Sequence, residues 1–456
     1  MNLAAPPGPT LRREMSGTDG LLVTLAGLSP SLGVFVVGSD VIRMAGSGAV
    51  LCFLAAAVLG VAMASVYAEL GSSMPGAGGE YTIAGRLLGP DAGFAMLSVN
   101  LCGLCLATSL SSLGVAGYLQ AVLPGLPTIP TALGLVVAVT GLAVLSIRVN
   151  ALVTGVLLGC EMASLAVTAW LGFAHVQPGA AARLLHPVMA GPNGVLHAVP
   201  LAVLGVGAAG GIYAFNGYGS VIFFGEEIRD ARRNVAAIVY GSLAIAAVTE
   251  LAPMAGVVVG APDLAELAAA PAPIAQFIGQ AGGAVLARVM SLAVAAALFN
   301  TMIAIMLSAA RQLYASARDN AWPAGGRHLA ALHPRFGSPY VATLVVGGAA
   351  LACCLLPASV LVTILANGNI ATYATLCLAA IVGRRSGLTA DTRARAPLFP
   401  LGPVCVLLAL AGVIWADLLD PANGVPGLLA MLAIVGLGVG VHRLVVRGNP
   451  AWGHRD

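Results

Sequence analysis

The chain has 456 residues, of which 59% are hydrophobic and only 9% charged, against roughly a quarter charged in a soluble globular domain. A water-soluble surface cannot be built from that composition, and the 21 basic residues, all arginine, are dispersed between apolar runs rather than gathered on one nucleic-acid-binding face. Runs near 20 residues, the length that crosses ~30 Å of hydrocarbon, recur from residue 21 almost to the end, so the class predicted is an all-α polytopic membrane protein.

Residues 1–19, Pro-rich in MNLAAPPGPT, read as a cytoplasmic tail. The apolar run after Arg12 and Arg13 is long, contains Pro30 and lacks a small-residue cleavage site, which argues against a signal peptide. A single membrane domain is expected over 20–446, with twelve transmembrane helices near 21–43, 47–72, 88–119, 130–147, 151–175, 199–223, 235–259, 284–316, 339–357, 360–383, 398–417 and 423–445, and a C-terminal tail over 447–456. The polar links at 177–197 and 318–338 are too short to fold alone. With the N-terminus inside, eighteen arginines fall on the cytoplasmic side and only Arg43, Arg183 and Arg288 outside. The positive-inside rule then places both termini in the cytoplasm of a plasma-membrane protein.

Two helices are interrupted in comparable ways. AGLSPSLGVFVVG (26–38) breaks helix 1 with a proline and glycines, and AAGGIYAFNGYGS (208–220) breaks helix 6. Five is odd, so repeating helices 1–5 (about 21–175) as helices 6–10 (about 199–383) inverts the topology and leaves helices 11 and 12 (about 398–445) outside the repeat. The plainer alternative is that Gly and Pro are simply commoner in membrane helices. A break frees backbone N–H groups, which suit a carboxylate, and carbonyls, which suit an ammonium or a cation; an α-amino acid carries both on one carbon.

Carboxylates at mid-membrane cost about 2.5 to 3.5 kcal/mol, so Glu161 in helix 5 and Glu250 in helix 7 are proton-coupling candidates. The alternatives are a protonated packing role for Glu161 and, for Glu250, bonding to carbonyls freed by Pro253. Glu69 closes helix 2 and is expected to pair with a loop arginine as a gate or anchor. Asp40 and Arg43, near the outer end of helix 1, suit a local pair or an extracellular rim. Glu226 and Glu227, in a charge run with Arg229, Asp230, Arg232 and Arg233, suit either a gate network or a solvated interface. The eight cysteines fall in helices as packing groups, Asn100, Asn300, Asn367 and Asn369 suit interhelical hydrogen bonds, and no catalytic, metal-binding or phosphate-loop constellation is evident. No enzyme and no cofactor are predicted.

VYAELGSSMPGAGGEYTIAGRLLGPDAGF (66–94), YAFNGYGSVIFFGEE (213–227) and ARQLYASARDNAWP (310–323) together resemble the amino acid, polyamine and organocation permeases, in order and over essentially everything from residue 20. The resemblance implies the LeuT-like five-plus-five inverted repeat with broken helices 1 and 6 and a substrate site between helices 1, 3, 6, 8 and 10. By position, Ser29, Ser31, Leu32 and Gly33 stand at the family's carboxylate-binding turn, where two of the three Gly-Ser-Gly residues differ. Tyr213, Ala214, Phe215, Asn216 and Gly217 stand where it lines the amine and side-chain pocket, and Thr108 faces the same cavity. Gly78, Gly79 and Arg86 fall in its inner-gate loop. Glu161 stands near the coupling lysine of several members, and this chain has no lysine at all. The expected function is secondary transport of an amino acid, neutral and perhaps apolar, by a monomer or weak homodimer in membrane lipid, with a proton or sodium as coupling ion and no nucleic-acid partner. An amine or polyamine exchanger on the same fold, needing Glu161 or Glu250 in the pocket, is the alternative.

Overall fold

The computed structural model describes residues 13–447 apart from 77, 121, 146, 192–193, 271, 323–324, 391, 393, 398, 420 and 422–423. Most of both expected tails lies outside the described residues. In chain order the elements are α1 (Gly17–Leu28), a π-helical turn (Leu32–Gly38), α2 (Ser39–Ala45), a 3₁₀ turn (Gly46–Gly48), α3 (Ala49–Ser73), α4 (Glu80–Leu88), α5 (Pro90–Gln120), α6 (Thr128–Ala143) and α7 (Ile147–Ala174). There follow α8 (Ala180–Leu185), the hairpin β1 (Val188–Ala190) and β2 (Leu196–Ala198), α9 (Leu201–Ala214), a 3₁₀ helix (Tyr218–Phe224), α10 (Ala231–Gly260) and α11 (Leu264–Ala269). The remainder is α12 (Pro273–Arg318), α13 (Gly326–Leu329), α14 (Tyr340–Cys353), α15 (Ala358–Ser386), α16 (Leu401–Leu418) and α17 (Gly424–Val441), the last running into a π turn (His442–Val446).

Among the described residues nine stretches are long and apolar enough to cross a membrane; the first, Gly17–Ser73, contains both of the first two expected helices. α6 and α14 are apolar but shorter. α12 is two helices meeting at a kink: Gly283 is non-helical (φ 80°), so the long segment begins at 284, where the sequence placed the eighth helix, and Pro273 opens a shorter helix before it. The link at 177–197, too short to fold alone, holds α8 and the hairpin. Docking orders it: the Val188 N–H donates to Ser47 Oγ (2.8 Å) and Arg183 donates to the Ala261 carbonyl (2.6 Å).

α5 and α12 share the most extensive packing of any two elements, and α12 is buried almost continuously from Val294 to Ala317. Helix α1 starts with a capping box, in which Ser16 Oγ accepts from the Asp19 N–H and the Asp19 carboxylate accepts from the Ser16 N–H. Just before it, Met15 pairs with Ile228 as a parallel bridge, through Met15 N–H to Glu227 O and Arg229 N–H to Met15 O, each 3.0 Å. The start of α1 is thereby fixed to the segment that follows the 218–224 helix.

Candidate substrate and coupling site

Helix α1 stops at Ser29, whose φ of 51° is left-handed. In a continuous helix the carbonyls of Ala26, Gly27 and Leu28 would accept from residues 30, 31 and 32. Pro30 has no N–H, the Ser31 N–H donates to Glu161 Oε1 (2.8 Å), and the Leu32 N–H donates to Ser29 Oγ (3.4 Å). Three consecutive carbonyls are thus released from helical bonding at the negative end of the α1 dipole, where positive charge is favoured.

The second break comes after α9. The Asn216 N–H tightens onto the Tyr213 carbonyl, and Gly217 then adopts φ 126°, a conformation open to glycine. The two breaks touch through their backbones. A Cβ on Gly217 would lie 2.5 Å from Leu28 Cα, so a side chain there would push the two half-helices apart. The Asn216 amide, a liability in lipid, is satisfied: Nδ2 donates to Asn369 Oδ1 (2.9 Å) and Oδ1 accepts from Tyr373 Oη (3.1 Å), which accepts in turn from Tyr218 Oη (3.3 Å).

A cavity of about 150 Å³ opens between these breaks and helices α5, α12 and α15. Its walls repeat at helical spacing: Asn100, Gly103, Leu104, Ala107 and Ser111 from α5, and Leu365, Gly368, Asn369 and Thr372 from α15. Of the sequence-proposed binding residues, Leu32, Tyr213, Asn216 and Gly217 line it. Ser29 and Ser31 face the other way, toward Glu161, and Gly33 faces Glu250. Ala214 and Phe215 are buried in packing, Phe215 edge-on to Phe53, and the Thr108 hydroxyl is turned back onto the Leu104 carbonyl (2.9 Å). The N–H groups expected to receive a substrate carboxylate are held within the protein, since that of Gly33 donates to Ser29 O (3.2 Å).

Glu161 meets the first break from behind, accepting from Ser29 Oγ (3.2 Å) as well as the Ser31 N–H. Its second oxygen has no partner, and neither does the Ser31 hydroxyl. Glu250 meets the same break: the Cβ that Gly33 lacks would lie 2.6 Å from Glu250 Oε2. Neither Glu250 oxygen has a hydrogen-bond partner, so the bonding to carbonyls freed by Pro253 is not formed. Both acids are fully buried and neither lines the cavity.

The end of the bundle near Met15 carries acid–arginine pairs among the described residues. Glu69 takes a two-pronged contact from Arg384 (2.7 and 2.6 Å) and the Ala396 N–H (2.8 Å), so its partner sits at the end of α15 and not in a loop. Glu226 is held by Arg318 (2.6 Å at both nitrogens). Glu227 is held by the buried Arg311 through Nε and Nη2, with Arg311 Nη1 on the Leu307 carbonyl and its guanidinium 4.9 Å above the Phe224 ring. Arg86 is half-buried on α4. Gly78 packs on Thr82, and Gly79 (φ 52°) leaves room for the Phe223 ring, which a Cβ would meet at 2.4 Å. Asp40 and Arg43 form the expected local pair, exposed, at 3.4 Å.

Sequence reasoning missed Glu80, Asn100 and Asn369. All three line the cavity. The i, i+3, i+4, i+7 run of small and polar residues on α5 and α15 was the signal for the two asparagines. Glu80 carried none beyond its glycine-rich neighbours.

A family model described as amino acid permease matches residues 20–438. A protein of Mycobacterium tuberculosis described as an uncharacterized transporter is 31% identical over 340 residues, covering 74% of this chain and 72% of its own. A branched-chain amino acid permease of Bacillus subtilis is 25% identical over 431 residues (89% of this chain, 88% of that one). The methylthioribose transporter of the same organism is 23% identical over 445 residues (89% and 90%).

Proposed function

The chain belongs to the amino acid permease family, and from that premise we propose that this multi-pass membrane transporter moves an amino acid across the plasma membrane by alternating access. The observation that carries the reading is the release of the Ala26, Gly27 and Leu28 carbonyls, two of these residues lining a cavity against the second break. These carbonyls receive the α-ammonium. The carboxylate lies toward the second break, where the buried Ser220 hydroxyl on the cavity wall has no partner. The side chain extends between α5 and α15. Branched-chain specificity in one relative and methylthioribose in another fit a cavity with both apolar and hydroxyl-bearing walls.

The remaining topology follows the same reading: twelve spans, both termini cytoplasmic, and helices 1–5 repeated in inverted form as 6–10. Coupling is by protons, taken up where Glu161 and Glu250 meet helix 1. A proton on this pair removes the repulsion between them and alters the grip of Glu161 on Ser31, hence the position of the freed carbonyls. The Glu69, Glu226 and Glu227 ion pairs hold the inner end shut and part when it opens. For the alternative, an amine exchanger, the two acids named from the sequence, Glu161 and Glu250, do not line the cavity, whereas Glu80 does.

The test is uptake of a radiolabelled amino acid panel into proteoliposomes with an imposed inward proton gradient, with and without sodium, for wild type and Glu161→Gln. Gradient-driven accumulation of one substrate class in wild type, lost in the variant while exchange persists, is expected. Uptake only into vesicles preloaded with amines would overturn the symport reading in favour of the exchanger.

A further inference from the structure

Glu80 opens α4, in the segment between the apolar stretches 17–73 and 90–120, and its side chain turns inward to reach the cavity. It is 4% exposed. Oε1 accepts from Tyr67 Oη (3.1 Å) and Oε2 from Asn100 Nδ2 (3.1 Å), while Asn100 Oδ1 accepts from Thr372 Oγ1 (3.3 Å). The carboxyl is therefore fixed by helices α3, α5 and α15 at once. These two side-chain bonds take one acceptor position on each oxygen, of about four that a carboxylate offers.

The neighbours of Glu80 supply no compensating charge. Tyr67 faces it from α3, Asn100 from α5 and, one bond further away, Thr372 from α15, while Phe223 of the 218–224 helix packs against the preceding Gly79. Arg384 of α15 is committed to Glu69 and Arg443 to Asp91, and the arginine on α4 itself, Arg86, stands in its last turn. Among the described residues no ion pair includes Glu80, and it is the single Asp, Glu, Lys or Arg on the cavity wall. Burial pushes its carboxyl up to about 7, with the backbone and Tyr67 hydrogen bonds acting in the opposite direction.

We propose that Glu80 determines which side chains the cavity accepts: as a carboxylate it binds a side-chain ammonium, and as the neutral acid it admits an uncharged side chain. The assignment rests on the amino acid transport reading and separates two tasks, coupling behind helix 1 and selection at the cavity wall. An uncharged side chain packed against an ionised, cation-free carboxylate would leave that charge buried, whereas an ammonium supplies the partner that the fold withholds.

The experiment is uptake of radiolabelled leucine into proteoliposomes at about pH 5.5 and about pH 8.5, with unlabelled lysine as competitor, for wild type, Glu80→Gln and Glu80→Asp. In wild type, leucine uptake falls roughly 30-fold from the lower to the higher pH, since with a carboxyl pKa of about 7 the neutral acid goes from nearly all of the population to a few per cent of it. Lysine competes only at the higher pH. Glu80→Gln flattens the leucine profile, abolishes lysine competition and keeps the gradient response that belongs to Glu161, while Glu80→Asp retains lysine competition. A Glu80→Gln profile identical to that of wild type overturns the proposal and leaves the transport reading standing. Infrared difference spectra across the same pH interval give a second readout that needs no transport. A protonated-carboxyl band that disappears on raising the pH in wild type and is missing in Glu80→Gln is expected; the same band persisting in the variant overturns the proposal. Absence of any amino acid uptake by wild type rejects the transport reading, and with it the selection role.

Discussion

The two sides of the first helix break obey opposite rules. On the cavity side, the polar side chains of Asn216, Asn369, Tyr373 and Tyr218 are linked to one another, and Glu80 is gripped by Tyr67 and Asn100. On the rear side, Glu161 has one unpartnered oxygen, Glu250 two, and the Ser31 hydroxyl is unpartnered as well. A satisfied network is rigid and specifies a shape; a surplus of buried acceptors demands something to bind them. The comparison teaches that the same interruption borders linked polar side chains on one side and buried oxygens without partners on the other.

The largest effect is expected where the two half-helices touch. Gly217→Ala places a Cβ 2.5 Å from Leu28 Cα at φ 126°, and strain plus displacement should cost more than about 3 kcal/mol. Loss of uptake together with a lowered thermal midpoint would show it; unchanged uptake would mean that the breaks are not held in register. The next is a pH effect on the cavity side. Glu80 has a folded pKa of about 7 against an ordinary 4.5, so ionisation favours the unfolded chain. Its contribution is intact below about pH 4.5 and is lost as pH rises toward 7, by at most about 3 kcal/mol. Denaturation profiles should lose that slope in Glu80→Gln.

On the rear side, Glu161→Leu strands the Ser31 N–H and the Ser29 hydroxyl, at about 1–3 kcal/mol for a buried group left unpaired. Glu161→Gln keeps an acceptor and should recover most of it; equal melting of the two variants would remove Glu161 as the anchor of the break. The smallest effect is expected for Glu250→Leu. An acid without a hydrogen bond contributes nothing to the fold that a leucine would not, so stability should be unchanged or higher, while gradient-driven uptake is lost and exchange survives. A strongly destabilised Glu250→Leu would show that a partner holds that carboxyl.

Several of these features were legible in the sequence because local chemistry announces them. Pro30 and the glycines around 33 and 217 mark the breaks, and an acid within an apolar run, as at Glu161 and Glu250, announces itself by its cost. What locality cannot supply is the partner. The bond from Ser31 to Glu161 spans 130 residues and that from Arg384 to Glu69 spans 315, and only folding decides such pairs. Glu80 was hidden for the same reason. It stands in a polar, glycine-rich link, where an acid is ordinarily solvated, and only the docking of α4 against α5 and α15 turns it inward. The asparagines at 100 and 369 read equally well as helix-to-helix ties, which Asn369 also is, through Asn216.

The bridge between Met15 and Ile228 adds a clock to the molecule. Two main-chain amides, those of Met15 and Arg229, are engaged across it, and α1 cannot swing away from the segment after the 218–224 helix without releasing both. Deuterium should therefore enter these two positions together, at the frequency with which this end of the transporter opens, and substrate that traps the closed form should slow their labelling in parallel.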